Sequence, residues 1–352
     1  YPAYPYADHP VIVPTITTDA PAAAGSDASA GAAAAGTRVG SGVSTGSAGA
    51  ATGVSWREVG SVVEAASALL GGAGEGVGSN SWVVSGALTA SGMPLLSNDP
   101  HLGASLPSVW HQIGLRCRTV SDACAFDVAG FGFSGVPGVV IGHNADIAWG
   151  FTNLTADVTD LYLERVEGDS YWRDGALVPL ETRAETFRVA GGDDVTIDVR
   201  STAHGPIVSG LTDDFTAIAE DPATGSTDAV VPLGAGDGAS IPPGEYAVSL
   251  RWTALDVGTT ASAIFALNTA TDFAGFRAAA SLFDVPAQNL IYADRAGNIG
   301  YQSPGKLPIR GAGDGTMPQP GWDSAYDWQG FIPFAELPVV YNPESGYIVT
   351  AN

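Results

Sequence analysis

From Ser79 onward the chain is a succession of short runs of branched and aromatic residues, and this pattern confines it to a sheet-rich fold. Trp82-Val83-Val84, Trp110 to Leu115, Val139 to Ile141, Ile147 to Trp149 and Leu161 to Leu163 have the length and composition of strands. So do Phe187 to Val189, Val195 to Val199, Tyr246 to Leu250, Asn289 to Tyr292 and Ile299 to Tyr301. Helical spacing interrupts them over Ala261 to Ala266 and over Asp272 to Phe283, where Phe273, Phe276, Ala280 and Phe283 share a face. Asp294 to Gly300 reads as a hairpin turn. The stretch 211–243, rich in Asp, Gly, Thr and Pro, reads as an exposed insertion.

Before Ser79 the organisation differs. Residues 1–54 form an N-terminal segment whose part from 20 to 54 is mostly Ala, Gly, Ser and Thr. Such a composition cannot bury enough apolar surface to offset its ordering entropy, so it reads as a flexible spacer. Over 55–78 a capping box at Ser55-Trp56-Arg57-Glu58 opens a helix, with Val59, Val62, Val63, Ala66, Leu69 and Leu70 on one face. Gly71-Gly72 ends that helix, and Gly74 to Gly78 is a loop. Residues 79–352 form the remaining domain.

The 14 Lys and Arg against 37 Asp and Glu give a formal charge of -23, and Lys306 is the only lysine. Such a surface repels phosphate backbones and anionic lipid heads, which discounts nucleic-acid and membrane-surface partners. No stretch approaches the ~20 apolar residues of a membrane span. Cys117 and Cys124 either close a small disulfide, in an oxidising compartment, or remain buried thiols. The chain opens without a signal sequence and reads as a mature or excised segment of a longer, secreted protein, extracellular or periplasmic.

Ordinary nucleophile motifs are missing: Phe131-Gly132-Phe133-Ser134-Gly135 lacks the Gly-x-Ser-x-Gly pattern. One other arrangement activates a serine without a histidine. If the peptide bond before the serine is cut, the new α-amine lies beside the hydroxyl. Its reference pKa of about 7.7 to 8 leaves it often unprotonated near neutrality, ready to accept the hydroxyl proton. That needs a small residue before the serine and a rigid element after it, and Gly78-Ser79 ahead of the strand at Trp82 supplies both.

Ser79-Asn80-Ser81-Trp82-Val83-Val84, Asn98-Asp99-Pro100-His101-Leu102, Gly142-His143-Asn144 and Ile147-Ala148-Trp149-Gly150 follow in order. Asp157 to Tyr162, Ala203-His204-Gly205-Pro206, Gln288 to Asp294, Tyr341-Asn342-Pro343 and Gly346-Tyr347-Ile348 continue the series. Together they resemble the penicillin acylase (penicillin amidase) family of N-terminal nucleophile hydrolases, with features of its acyl-homoserine-lactone and aculeacin acylase branch. The resemblance implies an α+β, four-layer αββα fold, with two stacked antiparallel sheets between helix layers. It also implies autocatalytic cleavage at Gly78–Ser79, with the rest of the first chain of the same precursor as partner. The expected reaction is hydrolysis of a small-molecule acyl amide through an acyl-serine intermediate.

Residue by residue, the resemblance makes Ser79 the nucleophile and its α-amine the base. Asn289 matches the side-chain oxyanion donor, and Asn153 the backbone N–H donor. His101 stands where cephalosporin and acyl-homoserine-lactone acylases carry histidine, and would hold the amine and hydroxyl geometry. Arg310 matches an arginine near the mouth of the site, able to orient Asn289 or attract a substrate carboxylate; as one of 14 basic residues it equally suits a surface ion pair. Leu102, Ile141 and Phe151 fall at the acyl pocket and imply an apolar acyl group. Asp157, Thr159 and Asp160 resemble the family's calcium loop, although some branches lack calcium; no cofactor is implied for the chemistry itself. Two rival readings are a non-catalytic binding module and, more remotely, a β-rich glycosidase with paired carboxylates.

Overall fold

The structure, a computed structural model, describes residues 78–102, 108–220 and 244–351. The N-terminal segment expected over 1–54, with its spacer over 20–54, and the helix expected from Ser55 lie outside these residues. The first strands are β1 (Gly78–Val84), β2 (Leu95–His101), β3 (Trp110–Arg116), β4 (Asp127–Phe133), β5 (Ile141–His143) and β6 (Ile147–Asn153). Next come β7 (Thr159–Glu167), β8 (Ser170–Arg173), β9 (Ala176–Pro179), β10 (Glu181–Phe187), β11 (Val195–Thr202), β12 (Gly205–Pro206) and β13 (Glu245–Trp252). The last are β14 (Gln288–Asp294), β15 (Ile299–Gln302), β16 (Pro308–Arg310), β17 (Gln319–Pro320), β18 (Trp328–Phe331), β19 (Val339–Tyr341) and β20 (Tyr347–Ala351). The described helices are α1 (Asp213–Glu220), α2 (Thr260–Thr269) and α3 (Phe273–Ala280).

Two antiparallel sheets carry the site. A three-stranded sheet runs β2-β1-β20, and a seven-stranded sheet runs β19-β15-β14-β6-β5-β4-β3. Side-chain alternation gives the second sheet two apolar faces. Ile291, Ala293 and Ile299 face the small sheet and bury Val83 between the two. Leu290, Tyr292, Trp149 and Phe151 point the other way, onto Ile264, Leu267, Phe276 and Phe283. Among the described residues this makes three layers: a small sheet, a large sheet and the α2–α3 pair. A separate sheet of order β13-β7-β8-β9, with β17 parallel to β7, lies beside them.

Local chemistry accounts for the departures from the sequence expectations. The strand anticipated at Val139 starts only at Ile141, because the Asn268 side chain takes both the N–H (2.9 Å) and the C=O (2.7 Å) of Val139. The strand expected over Phe187 to Val189 ends at Phe187, where the chain turns through Gly191 at φ 77°. The expected exposed insertion over 211–243 is corrected in its first part: α1 forms there and buries Phe215 against Leu161, Val208, Val248 and Leu250. Residues 221–243 lie outside the described residues. Asp294 to Gly300 forms the anticipated hairpin, with Asp294 accepting from the Asn298 backbone and side chain. Cys117 and Cys124 are joined, tying the loop between β3 and β4.

The Ala203-His204-Gly205-Pro206 motif is structural. His204 is buried between two carboxylates, Nδ1 at 2.7 Å from Glu164 and Nε2 at 2.9 Å from Asp327, and stacks on Tyr162 at 3.8 Å. Glu164 also accepts from Thr202 and Ser249. Burial opposes its ionisation, but the His204 hydrogen bond and charge outweigh that and hold it below the ordinary carboxylate range.

Candidate active site

Ser79 sits near the start of β1, opposite Pro100 of β2. The two-residue period places it on the same face as Ser81 and Val83, which are 1% and 0% exposed. That face looks toward β6 and β14. Gly78 pairs with His101, and a Cβ on Gly78 would lie 3.6 Å from His101 Nδ1, so the imidazole stands beside the Gly78–Ser79 bond. Its Nε2 is 2.9 Å from Asp99, which gives the ring an acidic partner on the far side.

A cavity of about 600 Å³ opens against Ser79. Asn153 and Gln288 line it on the β6–β14 side. Leu102, Ile141 and Phe151 all line the same cavity, joined by Phe133, Val140 and Ile264. Phe283 closes it, with its ring edge-to-face on Phe151 at 5.7 Å, a contact worth about 0.5–1.5 kcal/mol beyond area burial. The α2 residues in this wall, Thr260, Ala261 and Ile264, were invisible in the sequence, which showed only helical spacing there.

The oxyanion candidates lie together. Asn289 pairs with Thr152, and Gln288 with Asn153. Asn289 is 8% exposed and donates through Nδ2 to Thr152 Oγ1 and to the Asn153 carbonyl, both at 3.1 Å. The Tyr301 hydroxyl donates to its Oδ1 at 2.7 Å. Burial pushes the Tyr301 phenol above its ordinary pKa, so it stays protonated as a donor. A substrate oxygen receiving the Asn289 amide must therefore take the proton now shared with Thr152 or with the Asn153 carbonyl. Asn98 was missed as a site residue: it lines the cavity and bonds to the backbone of both β1 and β6.

Arg310 is held by two carboxylates and makes no hydrogen bond to Asn289. Its Nε and Nη2 grip Asp160 at 2.9 and 2.7 Å, and Nη2 reaches Asp157 at 3.0 Å. The β16–β18 ribbon delivers it there, and Trp328 of β18 adds a hydrogen bond to Asp160. This engages Arg310 in an ion pair and occupies the carboxylates of the expected calcium loop. Calcium requires six to eight oxygen ligands. Asp160 is 1% exposed and both its oxygens are already taken by N–H donors. Thr159 is engaged in the β7–β13 ladder opposite Trp252. As placed, the Asp160 carboxylate serves the Arg310 guanidinium and the Trp328 indole. Burial raises the Asp157 carboxyl above its ordinary range while Arg310 pulls it down.

Comparison with known proteins agrees with this architecture. The family profile described as penicillin amidase matches residues 7–352. The acyl-homoserine lactone acylase QuiP of Pseudomonas aeruginosa is 32% identical over 279 residues, covering 78% of this chain and 30% of that protein. Penicillin G acylase of Escherichia coli is 31% identical, covering 78% of this chain and 28% of its own length. The chain thus spans roughly a third of the length of these relatives. Among solved structures, a thermostable penicillin G acylase from Alcaligenes faecalis superposes with a TM-score of 0.61 at 29% identity, covering 77% of this chain and 43% of that one. The chain belongs to the penicillin amidase family.

Proposed function

We propose that this chain carries the nucleophile of an acylase that hydrolyses the amide of an N-acylated small molecule. The reading rests on one observation: Ser79, Asn153 and an apolar wall of Leu102, Ile141 and Phe151 share a single cavity of about 600 Å³. Maturation begins when the Ser79 hydroxyl attacks the Gly78 carbonyl; water then cleaves the resulting ester and frees the Ser79 α-amine. In turnover that amine takes the hydroxyl proton as Oγ attacks the substrate carbonyl, and the leaving amine departs with a proton. Water hydrolyses the acyl-serine by the reverse use of the same base. Asn153 N–H and Asn289 Nδ2 receive the oxyanion.

The substrate class is an amide with a sizeable apolar acyl group, in keeping with relatives named for acyl-homoserine lactones and penicillins. The Cys117–Cys124 disulfide supports an extracellular or periplasmic location. Mass spectrometry of the full-length protein tests the proposal. Two chains are expected, the second beginning Ser-Asn-Ser-Trp, and Ser79→Ala remains one chain. An uncut, folded wild type without amidase activity defeats the proposal and favours a binding module.

A further inference from the structure

β6 runs past the end of its neighbour β5. Their pairing stops at Gly142 opposite Trp149, so the β5-side edge of β6 lacks a strand from Gly150 to Asn153. Asn98 fills the first gap with a side chain. Phe151 N–H donates to Asn98 Oδ1 at 3.0 Å, and Asn98 Nδ2 donates to the Phe151 carbonyl at 2.7 Å. The primary amide thus completes one rung of a β-ladder without a backbone. Gly150 makes room for it, since a Cβ there would lie 2.9 Å from the Asn98 Cβ. The same Nδ2 also reaches the carbonyl of Asn80, the residue after Ser79, at 3.3 Å.

The geometry points to Asn98 as a positioning residue that sets the distance between the Ser79 nucleophile and the Asn153 oxyanion donor. It rests on the acylase reading above. In an antiparallel ladder, N–H groups leave a strand on alternate sides. With Phe151 N–H directed at Asn98, the N–H of Asn153, two residues on, leaves the same edge, and Asn153 lines the cavity with Ser79. One amide therefore fixes the backbone one residue after the nucleophile and two residues before the donor. Its orientation is unambiguous: two carbonyls only accept and one N–H only donates, so no other common side chain of this size satisfies all three. Aspartate keeps the shape but sets a carboxylate against both carbonyls.

The test compares full-length wild type with Asn98→Ala and the near-isosteric Asn98→Asp, using a chromogenic octanoyl anilide. Displacing catalytic groups by a fraction of an ångström should lower kcat by about ten- to a hundredfold and slow self-cleavage alongside. KM should stay within about twofold, since the apolar wall is untouched. Amide hydrogen exchange supplies a readout independent of activity: the Phe151 N–H should exchange much faster in Asn98→Ala than in wild type. If folded Asn98→Asp and Asn98→Ala both keep kcat within about twofold of wild type, the positioning role is overturned. Unchanged exchange at Phe151 overturns it equally, even if the wild type proves inactive and the acylase reading fails on its own.

Discussion

The Tyr301 hydroxyl donates to Oδ1 of Asn289 at 2.7 Å, and so turns the Nδ2 of that amide toward Thr152 Oγ1 and the Asn153 carbonyl. The carbonyl can only accept, which fixes which end of the amide is which. Tyr301 and Asn289 lie on paired strands of one hairpin, so the donor is aimed from a rigid support.

Tyr301→Phe therefore leaves a buried acceptor unsatisfied and frees the amide to turn. A loss of about 1–3 kcal/mol is expected, roughly five- to 150-fold in kcat, with little change in KM. Asn289→Ala should cost more, about a hundredfold to a thousandfold, and should also slow self-cleavage. Steady-state kinetics on folded variants measure both. Wild-type turnover in Asn289→Ala would make that residue structural.

On the proposed acylase reading, the apolar wall sets a chain preference. Leu102, Ile141 and Phe151 carry no charge, and Phe151 is held by Phe283. Activity across a series of acyl anilides should rise with acyl hydrophobicity up to a size limit. Phe151→Ala should move that limit to larger groups while destabilising the fold by about 3–5 kcal/mol. A preference for succinyl or glutaryl amides contradicts the assignment.

Arg310 holds Asp160 where calcium was expected. A chelator should leave the thermal midpoint of the wild type unchanged. Arg310→Met strands a carboxylate that is 1% exposed, and should destabilise by about 3–5 kcal/mol. Differential scanning calorimetry with and without EDTA reads both outcomes; a midpoint that falls on chelation of the wild type would restore the metal site.

Glu164 predicts an acid limit. Its folded-state pKa is below the ordinary value of 4.5 despite burial, through His204 and the Ser249 and Thr202 hydroxyls. The stability it contributes is complete above that value and is lost as pH falls through the folded-state value. Melting curves from about pH 6 to 3 should show the midpoint falling in the lower half of the range. Glu164→Gln should lie lower at pH 6 and fall less steeply; identical slopes would remove Glu164 from the account.

Much of the frame was legible in the sequence. Runs of branched and aromatic residues located β1, β3, β6, β7, β11, β13, β14 and β15; in β7, β13 and β14 the run is continuous because both faces are buried. The Gly78-Ser79 step ahead of Trp82 marked a serine at the start of a strand, and the motif series carried the family. The pairings that decide the site were not legible. Asn98 meets Phe151 across 53 residues, and Arg310 meets Asp160 across 150. Nothing local to Arg310 distinguishes a guanidinium bound for a substrate from one bound for a buried carboxylate. Likewise, an asparagine in Asn98-Asp99-Pro100 looks like turn chemistry until β5 proves one rung too short. Strand ends and sheet stacking fix those choices, because a buried N–H, carbonyl or carboxylate must find its partner among whatever groups the packed sheets bring within hydrogen-bonding reach.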